Sequence, residues 1–347
     1  MSRRSLLLIG GAAATVAVAV VLVIVLTGGG GGGYHSHAKF RAGLVADASS
    51  FNDKGLNASQ LAGLRYAANH VAGLRAAAAF DSRSSRDYRR NLTALAKKGY
   101  NFIIGASGSL AAQEKALARQ FPKINFAITG VDVTAPPFNG KVPNIEGLTF
   151  ATQENAYLAG CLAGLMAKKH GGKQVVGVVA GAGMPLVAAP VAGYSAGAQR
   201  CNPGVTVLTS YSHDLTSQAT CRSLAQKHVN AGSQVEFSVA GKCGLGALEA
   251  AGRAGIWAIG SGLDQSNLDA AHVLTSVVTR LNHGIFVAIQ SAEQGEFVGG
   301  GNLSLNLKNG GVSLGKINAS VPETFVRQIN QLKAQIVAGK LKPPTGV

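Results

Sequence analysis

From Phe40 onward, short apolar runs alternate with longer amphipathic stretches. The runs FRAGLVAD, RAAAAF, NFIIGASG and INFAITG are separated by segments 57–73, 84–99 and 110–120, where apolar residues recur at three- and four-residue spacing. Apolar run followed by helical period is the signature of a βαβ unit, and its repetition predicts a parallel sheet. After IEGLTFA the alternation resumes with QVVGVVAG, VTVLTSYS, VEFSVAG and IWAIGS, which predicts a second sheet. Segments 153–169 and 185–200 repeat small and apolar residues at helical spacing, as suits close packing on a sheet. The last segment, VPETFVRQINQLKAQIVAGKL, starts near a proline and carries Phe325, Ile329, Leu332 and Ile336 on one stripe. It reads as a docking helix.

The polar residues fall just past the strands. In open parallel sheets ligands bind at the carboxyl ends of the strands, where helix N-termini present unpaired N–H groups. The stretches 47–57, 105–109, 130–132, 181–185, 210–214, 241–246 and 261–265 occupy those places and are made almost wholly of Gly, Ser, Asp and Asn. One such turn is ordinary loop chemistry. Seven on the same edges of two sheets describe a cleft. The cysteines fit this map: Cys221 opens the helix after VTVLTSYS and Cys243 follows VEFSVAG, both at the carboxyl edge of neighbouring units. Cα atoms within about 7 Å are then attainable. Cys201 ends its helix at the opposite edge. The predicted disulfides are Cys221–Cys243 and, by exclusion, Cys161–Cys201.

Residues 6–26 carry no charge, and as a helix they would span about 31 Å, the thickness of a hydrocarbon core. Arg3 and Arg4 precede them, so the positive-inside rule keeps the short N-terminus in the cytoplasm. A retained anchor, residues 1–27, is the preferred reading over a cleaved signal, whose apolar core is shorter. Six consecutive glycines, 28–33, open a tether over 28–38. The remaining body exceeds one ordinary core, so two lobes are predicted: an N-terminal lobe over 39–145 with a return segment at about 275–295, a C-terminal lobe over 146–274, and C-terminal strands with the docking helix over 296–347. The net charge of +16 would suit nucleic acid if the cations clustered. Arg86, Arg89, Arg90, Lys97, Lys98, Lys168 and Lys169 are instead scattered along helices without an aromatic-basic motif, which reads as a solvated face near an anionic cell envelope.

Catalytic sets are hard to assemble. Gly244-Leu-Gly246 after a strand, with Asp264 at the end of the next, imitates a dinucleotide fingerprint, but Glu249 occupies the third glycine position. No Gly-Lys-Ser/Thr loop occurs, and the histidines show no metal spacing better than His35-x-His37. No catalytic residue, cofactor or metal is assigned.

Several segments in order, GLVADASSFNDKGLN, EGLTFATQENAYLAGCLAGLMAKK, MPLVAAPVAGYSAGAQ, VEFSVAGKCGLGALEAAGRAGIWAIG, LDQS and VLTSVV, resemble the basic membrane protein family of extracytoplasmic substrate-binding proteins, which includes purine nucleoside receptors of ABC importers. The resemblance implies an α/β, two-lobed type I periplasmic-binding-protein fold with parallel sheets flanked by helices, closing on a small molecule. It implies that Asp47 receives the base, that Asn57 matches the Asn of a Ser-Phe-Asn tripeptide, and that Phe237 is a stacking platform. Leu56 replaces the tripeptide's Phe, Gly130 and Gly262 stand where the family has Asp, and Thr279 replaces a Lys. Asp264 and Gln265 remain, and Ser107, Asp132 and Lys242 are further lining candidates. Each buried ribose hydroxyl left without a partner costs about 1 to 3 kcal/mol, so these replacements thin the nucleoside chemistry. Phe51 is read as a core anchor rather than a substitute ring. The expected protein is a monomeric, membrane-tethered solute-binding protein outside the cytoplasm, with a nucleoside-like ligand, an ABC permease as partner and no nucleic acid. A ligand sensor for a membrane signalling partner is the alternative, and an NAD(P)-dependent oxidoreductase the remotest reading.

Overall fold

The computed structural model describes residues 40–52, 56–181 and 185–346. The anchor and tether expected over 1–38 lie outside the described residues, and among those residues no helix is long and apolar enough to cross a membrane. In chain order the first part runs β1 (Phe40–Val45), α1 (Leu56–His70), β2 (Leu74–Phe80), α2 (Ser85–Lys97), β3 (Phe102–Gly105), α3 (Ala111–Gln120), β4 (Asn125–Thr129) and β5 (Ile145–Phe150). There follow α4 (Thr152–His170), β6 (Val175–Ala180), α5 (Pro185–Cys201), β7 (Thr206–Tyr211), α6 (Gln218–Ala231), β8 (Ser233–Val239), α7 (Gly244–Arg253), β9 (Trp257–Gly262) and β10 (Val273–Thr279). The chain ends with α8 (Leu281–Glu293), β11 (Asn302–Leu305), β12 (Val312–Leu314) and α9 (Glu323–Val337).

Two six-stranded sheets result, in the orders β11-β5-β4-β3-β1-β2 and β12-β10-β9-β8-β6-β7. All pairings are parallel except that of β12 with β10. Fully buried strands such as FIIG (β3) and VVGVVA (β6) have a partner on each side, as expected where helices cover both faces. On the first sheet Leu44, Phe102 and Ala127 pack with Leu64 of α1 and with Ile285 and Ile289 of α8, while Ile103, Phe126 and Ile128 pack with Leu92 and Leu95 of α2 and Leu117 of α3. The second lobe's main core joins Leu158, Leu162, Val176, Val178, Tyr194 and Phe237 to Ile329, Leu332 and Ile336 of α9.

Helices α4 and α5 meet backbone to backbone. A Cβ at Gly160 would lie 1.9 Å from the Tyr194 carbonyl oxygen, one at Gly164 2.5 Å from that of Ala198, and one at Gly197 2.0 Å from that of Tyr157. The Cys161–Cys201 disulfide ties the same pair, with Cα atoms 5.1 Å apart. The second expected bridge, Cys221–Cys243, is also formed, its Cα atoms 5.4 Å apart.

Lobe boundaries differ from those read in the sequence. β5 belongs to the first sheet, so the first crossing follows Phe150 rather than residue 145; β10 belongs to the second, so the return to the first lobe starts at α8 rather than near residue 275. Residues 296–347 are not one unit: β11 completes the first sheet, and β12 pairs in the second. The reason is that alternation along the chain marks strands, while sheet membership is decided by partners far away, such as β5 for β11. The three crossings are bonded to one another and to α4. Ala151 N–H donates to Leu305 O at 2.8 Å, Arg280 N–H to Gly311 O at 2.9 Å, and Leu307 N–H to Glu154 Oε2 at 2.8 Å.

Candidate functional site

Each sheet reverses its strand order once. In the first, the chain steps from β1 outward to β2 and then back to β3 on the other side; in the second it does the same around β6 and β8. Loops leaving neighbouring strands in opposite directions open a crevice at such a point. Asp47 lies in the loop after β1 and Ser107 in the loop after β3, so the structure sets both at the first switch point. Asn57 opens toward the same place from the first turn of α1. Its Nδ2 donates to Asp47 Oδ1 at 2.8 Å, and Ser49 N–H donates to the same oxygen at 2.9 Å. The carboxylate and the buried amide therefore hold each other in fixed orientation.

Three residues that build this edge escaped the sequence reading. The hydroxyl of Tyr88, from α2, accepts the Ala48 N–H at 3.0 Å and stands 3.4 Å from Ser109 Oγ, tying together the loops on either side of the crevice. Buried Gln60 donates to Ala106 O and accepts from Thr129 Oγ1, both at 2.8 Å, and so fastens the ends of β3 and β4. Asp81, just past β2, accepts from Ser50 Oγ at 2.7 Å and Phe51 N–H at 3.0 Å. The rule that picked out the other strand ends would have found Asp81; Tyr88 and Gln60 are helix residues with no such mark. Phe51 packs partly buried against the α1 side of the sheet. Leu56 is 58% exposed on the rim.

At the second switch point Lys242 is exposed in a short 3-10 turn, Gly241–Cys243, after β8. The Cys221–Cys243 bridge fixes this turn to α6, and Cys243 N–H donates to Leu215 O at 3.0 Å. Asp214, in the same loop, accepts from Thr216 N–H at 2.7 Å and Ser217 N–H at 3.0 Å, and those bonds hold its carboxyl below the usual range.

Phe237 is not at the edge. It lies two residues short of the end of β8, is fully buried, and stacks on Tyr194 with ring centroids 4.9 Å apart. Strand alternation points it, with Val235, into the α4–α5 layer, so its ring is part of the core and its assignment as a stacking platform is corrected. The remaining candidates lie at strand ends away from the switch points. Asp132, after β4, accepts from Thr134 Oγ1 at 2.6 Å and Asn302 Nδ2 at 2.6 Å, bonds that lower its pKa. Asp264, after β9, is lowered too: partial burial opposes the shift, but the N–H groups of Lys316 and Ser266 outweigh it. Gln265 Oε1 is folded back to accept the Ser261 N–H at 3.1 Å.

Gly130 and Gly262 have φ of +75° and +82°, and a Cβ at either would meet nothing within 4 Å. Space for a carboxylate therefore exists at both, and the constraint is the left-handed backbone, which Asp tolerates better than most residues. The glycines of the dinucleotide-like stretch have packing reasons of their own: a Cβ at Gly246 would lie 1.9 Å from Gln218 O, and one at Gly244 2.2 Å from Ser238 Oγ. Elsewhere in the lobe, Ser210 Oγ is 2.9 Å from His228 Nε2, and His228 Nδ1 is 3.1 Å from Glu236 Oε2. The order is that of a nucleophile relay. With His228 and Glu236 only 5% and 1% exposed, however, the three fasten β7, α6 and β8 together. No group of three or more His, Cys, Asp or Glu among the described residues is arranged to hold a metal.

A protein-family model described as an ABC transporter substrate-binding protein, PnrA-like, matches residues 40–345. An ABC transporter nucleoside-binding protein of Lactococcus lactis subsp. cremoris is 28% identical over 324 residues, covering 88% of this chain and 89% of its own. Basic membrane protein A1 of Borrelia garinii subsp. bavariensis is 26% identical over 307 residues, covering 88% of each chain. Among solved structures, an ABC transporter solute-binding protein from Aeropyrum pernix K1 superposes with a TM-score of 0.70 at 21% identity, covering 88% of this chain and 93% of that one. A transcriptional activator of the comK gene from Bacillus halodurans does so with a TM-score of 0.74 at 23% identity, covering 88% and 100%. Identities this low speak to the shared two-lobed fold alone. The family match, running from the first residue of β1 to beyond α9, carries more: the chain belongs to the family of PnrA-like ABC transporter substrate-binding proteins.

Proposed function

We propose that this protein is a membrane-tethered, extracytoplasmic solute-binding protein that captures a nucleoside-like ligand between its lobes and hands it to an ABC permease. The observation that carries the reading is the Asp47–Asn57 pair, locked in one orientation at the switch point of the first sheet. A carboxylate and an amide so held accept and donate hydrogen bonds without first paying to be ordered. Ser107, Asp132, Lys242, Asp264 and Gln265 supply further polar contacts, and Leu56 gives the rim an aliphatic face where a ring would otherwise stack. Closure about the three crossing segments brings the second lobe onto a ligand seated on the first, and contacts made only in the closed state supply the affinity.

The test is a thermal-shift screen of nucleosides, free bases and sugars, followed by calorimetry on any hit. Ligand at a hundred times its dissociation constant adds about 2.7 kcal/mol to stability, so a nucleoside should raise the melting temperature clearly. Asn57→Ala should lose the shift while keeping a cooperative transition. Wild-type protein that responds to no nucleoside would remove the ligand class from the proposal.

A further inference from the structure

The carboxyl edge of the first lobe is mixed, with Asp47, Asp81, Asp87 and Asp132 set among Arg83, Arg86, Arg89 and Arg90 around the start of α2. The amino edge, where the strands begin and α2 and α3 end, carries Arg41, Arg75, Lys97, Arg119, Lys123 and Lys141. All six are exposed except Arg41, which is half-buried with its guanidinium 4.5 Å over the Tyr100 ring. None of the six forms an ion pair among the described residues. The nearby Lys98 is left out, because its ammonium is turned back over the Phe80 ring at 5.1 Å. Against these cations the edge has two surface carboxylates, Glu293, which stands over Gly73, and Glu296. Glu146 lies nearby but is buried.

Helix dipoles explain part of this. Lys97 and Arg119 occupy the last turns of α2 and α3, where a cation is favourable. That local reason does not reach Arg75 on β2, or Lys123 and Lys141 in the loops before β4 and β5. The chain also enters the fold here: β1 starts at Phe40, and the sequence before it holds the uncharged run 6–26 and six glycines. Thirteen residues separate Leu26 from Phe40, and a glycine-rich linker of that length has a root-mean-square reach of about 20 Å. A tether of that reach lets the basic edge come within one Debye length of anionic headgroups, about 10 Å, where their attraction acts.

We infer that the amino edge of the first lobe is a docking face for anionic phospholipid headgroups, which holds the lobe base-down on the bilayer with its carboxyl edge turned away from the membrane. The inference rests on the membrane-tethered reading and adds to it an orientation: the ligand-binding edge faces the medium until a permease takes the protein up.

Lysine footprinting tests it on the full chain, reconstituted into phosphatidylcholine vesicles with or without one part in three of phosphatidylglycerol. Acetylation of Lys97, Lys123 and Lys141 is compared by mass spectrometry with that of Lys168, Lys169, Lys227 and Lys333 in the same sample. The basal lysines should react at least about three-fold more slowly on the anionic vesicles, the reference lysines should be unchanged, and 0.5 M salt should abolish the difference by shortening the Debye length. Equal basal rates on the two vesicles would overturn the docking face. So would protection shared by the reference lysines, which marks general adsorption of a basic protein. Flotation with phosphatidylcholine vesicles alone reads the tether separately; a chain that does not float with them has no tether, and basal protection on anionic vesicles still decides the face.

Discussion

Glu146 points from β5 into the protein, 2% exposed, with one oxygen accepting the Val298 N–H at 3.1 Å and the other without a hydrogen bond among the described residues. Burial raises its pKa from 4.5 to about 7, against the smaller opposing effect of that bond. Between those values the folded chain holds a proton that the unfolded chain has released. The contribution to stability is therefore complete below about pH 4.5, falls as pH rises through about 7, and is level above that, a change of about 3 kcal/mol. Glu114 and Glu236 are shifted upward by burial too, so the whole protein should lose stability from mildly acidic to mildly alkaline pH. Glu146→Gln isolates one share: urea unfolding should find the variant gaining up to about 3 kcal/mol on wild type at pH 8 relative to pH 5. The same difference at both pH values would contradict the assignment. Phe237→Ala separates a core ring from a ligand platform, since removal of a ring stacked on Tyr194 should cost about 3 to 5 kcal/mol in the same measurement with no ligand present. Residue type and strand position alone could not make that distinction. The position of Asp47 past the first strand was legible from the apolar run that ends at Val45, while an aromatic inside a strand can face a core or an edge, and which one holds depends on the helix opposite.

At the scale of elements, the pairing of α4 with α5 depends on hydrogen atoms at four glycines, Gly160, Gly164, Gly193 and Gly197. With 1.9 Å between a Cβ at Gly160 and the Tyr194 carbonyl oxygen, no rotamer relieves the contact, because backbone meets backbone. Gly160→Val should destabilise by about 3 kcal/mol or more, read as a shift in the urea midpoint. Gly204→Ala is the matched control: its Cβ would come no closer than 3.8 Å to Asn202 Oδ1, and the change should cost less than about 0.5 kcal/mol. Equal effects would mean that the helices slide apart freely. The disulfide at one end of the pair argues against sliding, since closing a loop of 40 residues restricts the unfolded chain by about 4 kcal/mol. Small residues at helical spacing made the close packing legible in sequence, and the βαβ alternation likewise gave strands and helices near their observed bounds. What it could not give was the sheet that β5, β10 and β11 join. Their partners lie across the chain, and the apolar pattern of a strand is the same whichever neighbour it finds.

The whole molecule is two lobes, neither of which is a continuous piece of chain. The first sheet takes β1 to β5 from one stretch and β11 from another, and α8 from the second stretch covers one face of it with Ile285, Ala288, Ile289 and Ala292. The second sheet runs from α4 to β10 but needs β12 to complete it and Ile329, Leu332 and Ile336 of α9 to cover its core. Three crossings, bonded to each other at Ala151 with Leu305 and Arg280 with Gly311, are then a consequence of how each core is finished, and they couple the lobes in folding. Cutting the chain after Phe150 should therefore give a fragment whose α1-facing sheet surface is open to water. The isoleucine and alanine side chains of α8 that cover it bury most of their area, at about 25 cal/mol per Å², and a lobe of this size is stable by only about 5 to 15 kcal/mol. Residues 40–150 should bind a hydrophobic dye and unfold without a cooperative transition, whereas the same segment joined by a short glycine-serine linker to residues 281–305 should unfold cooperatively and lose the dye. Cooperative unfolding of 40–150 alone would show that the first lobe finishes its core without the returning segment, and the crossings would then owe their number to closure alone.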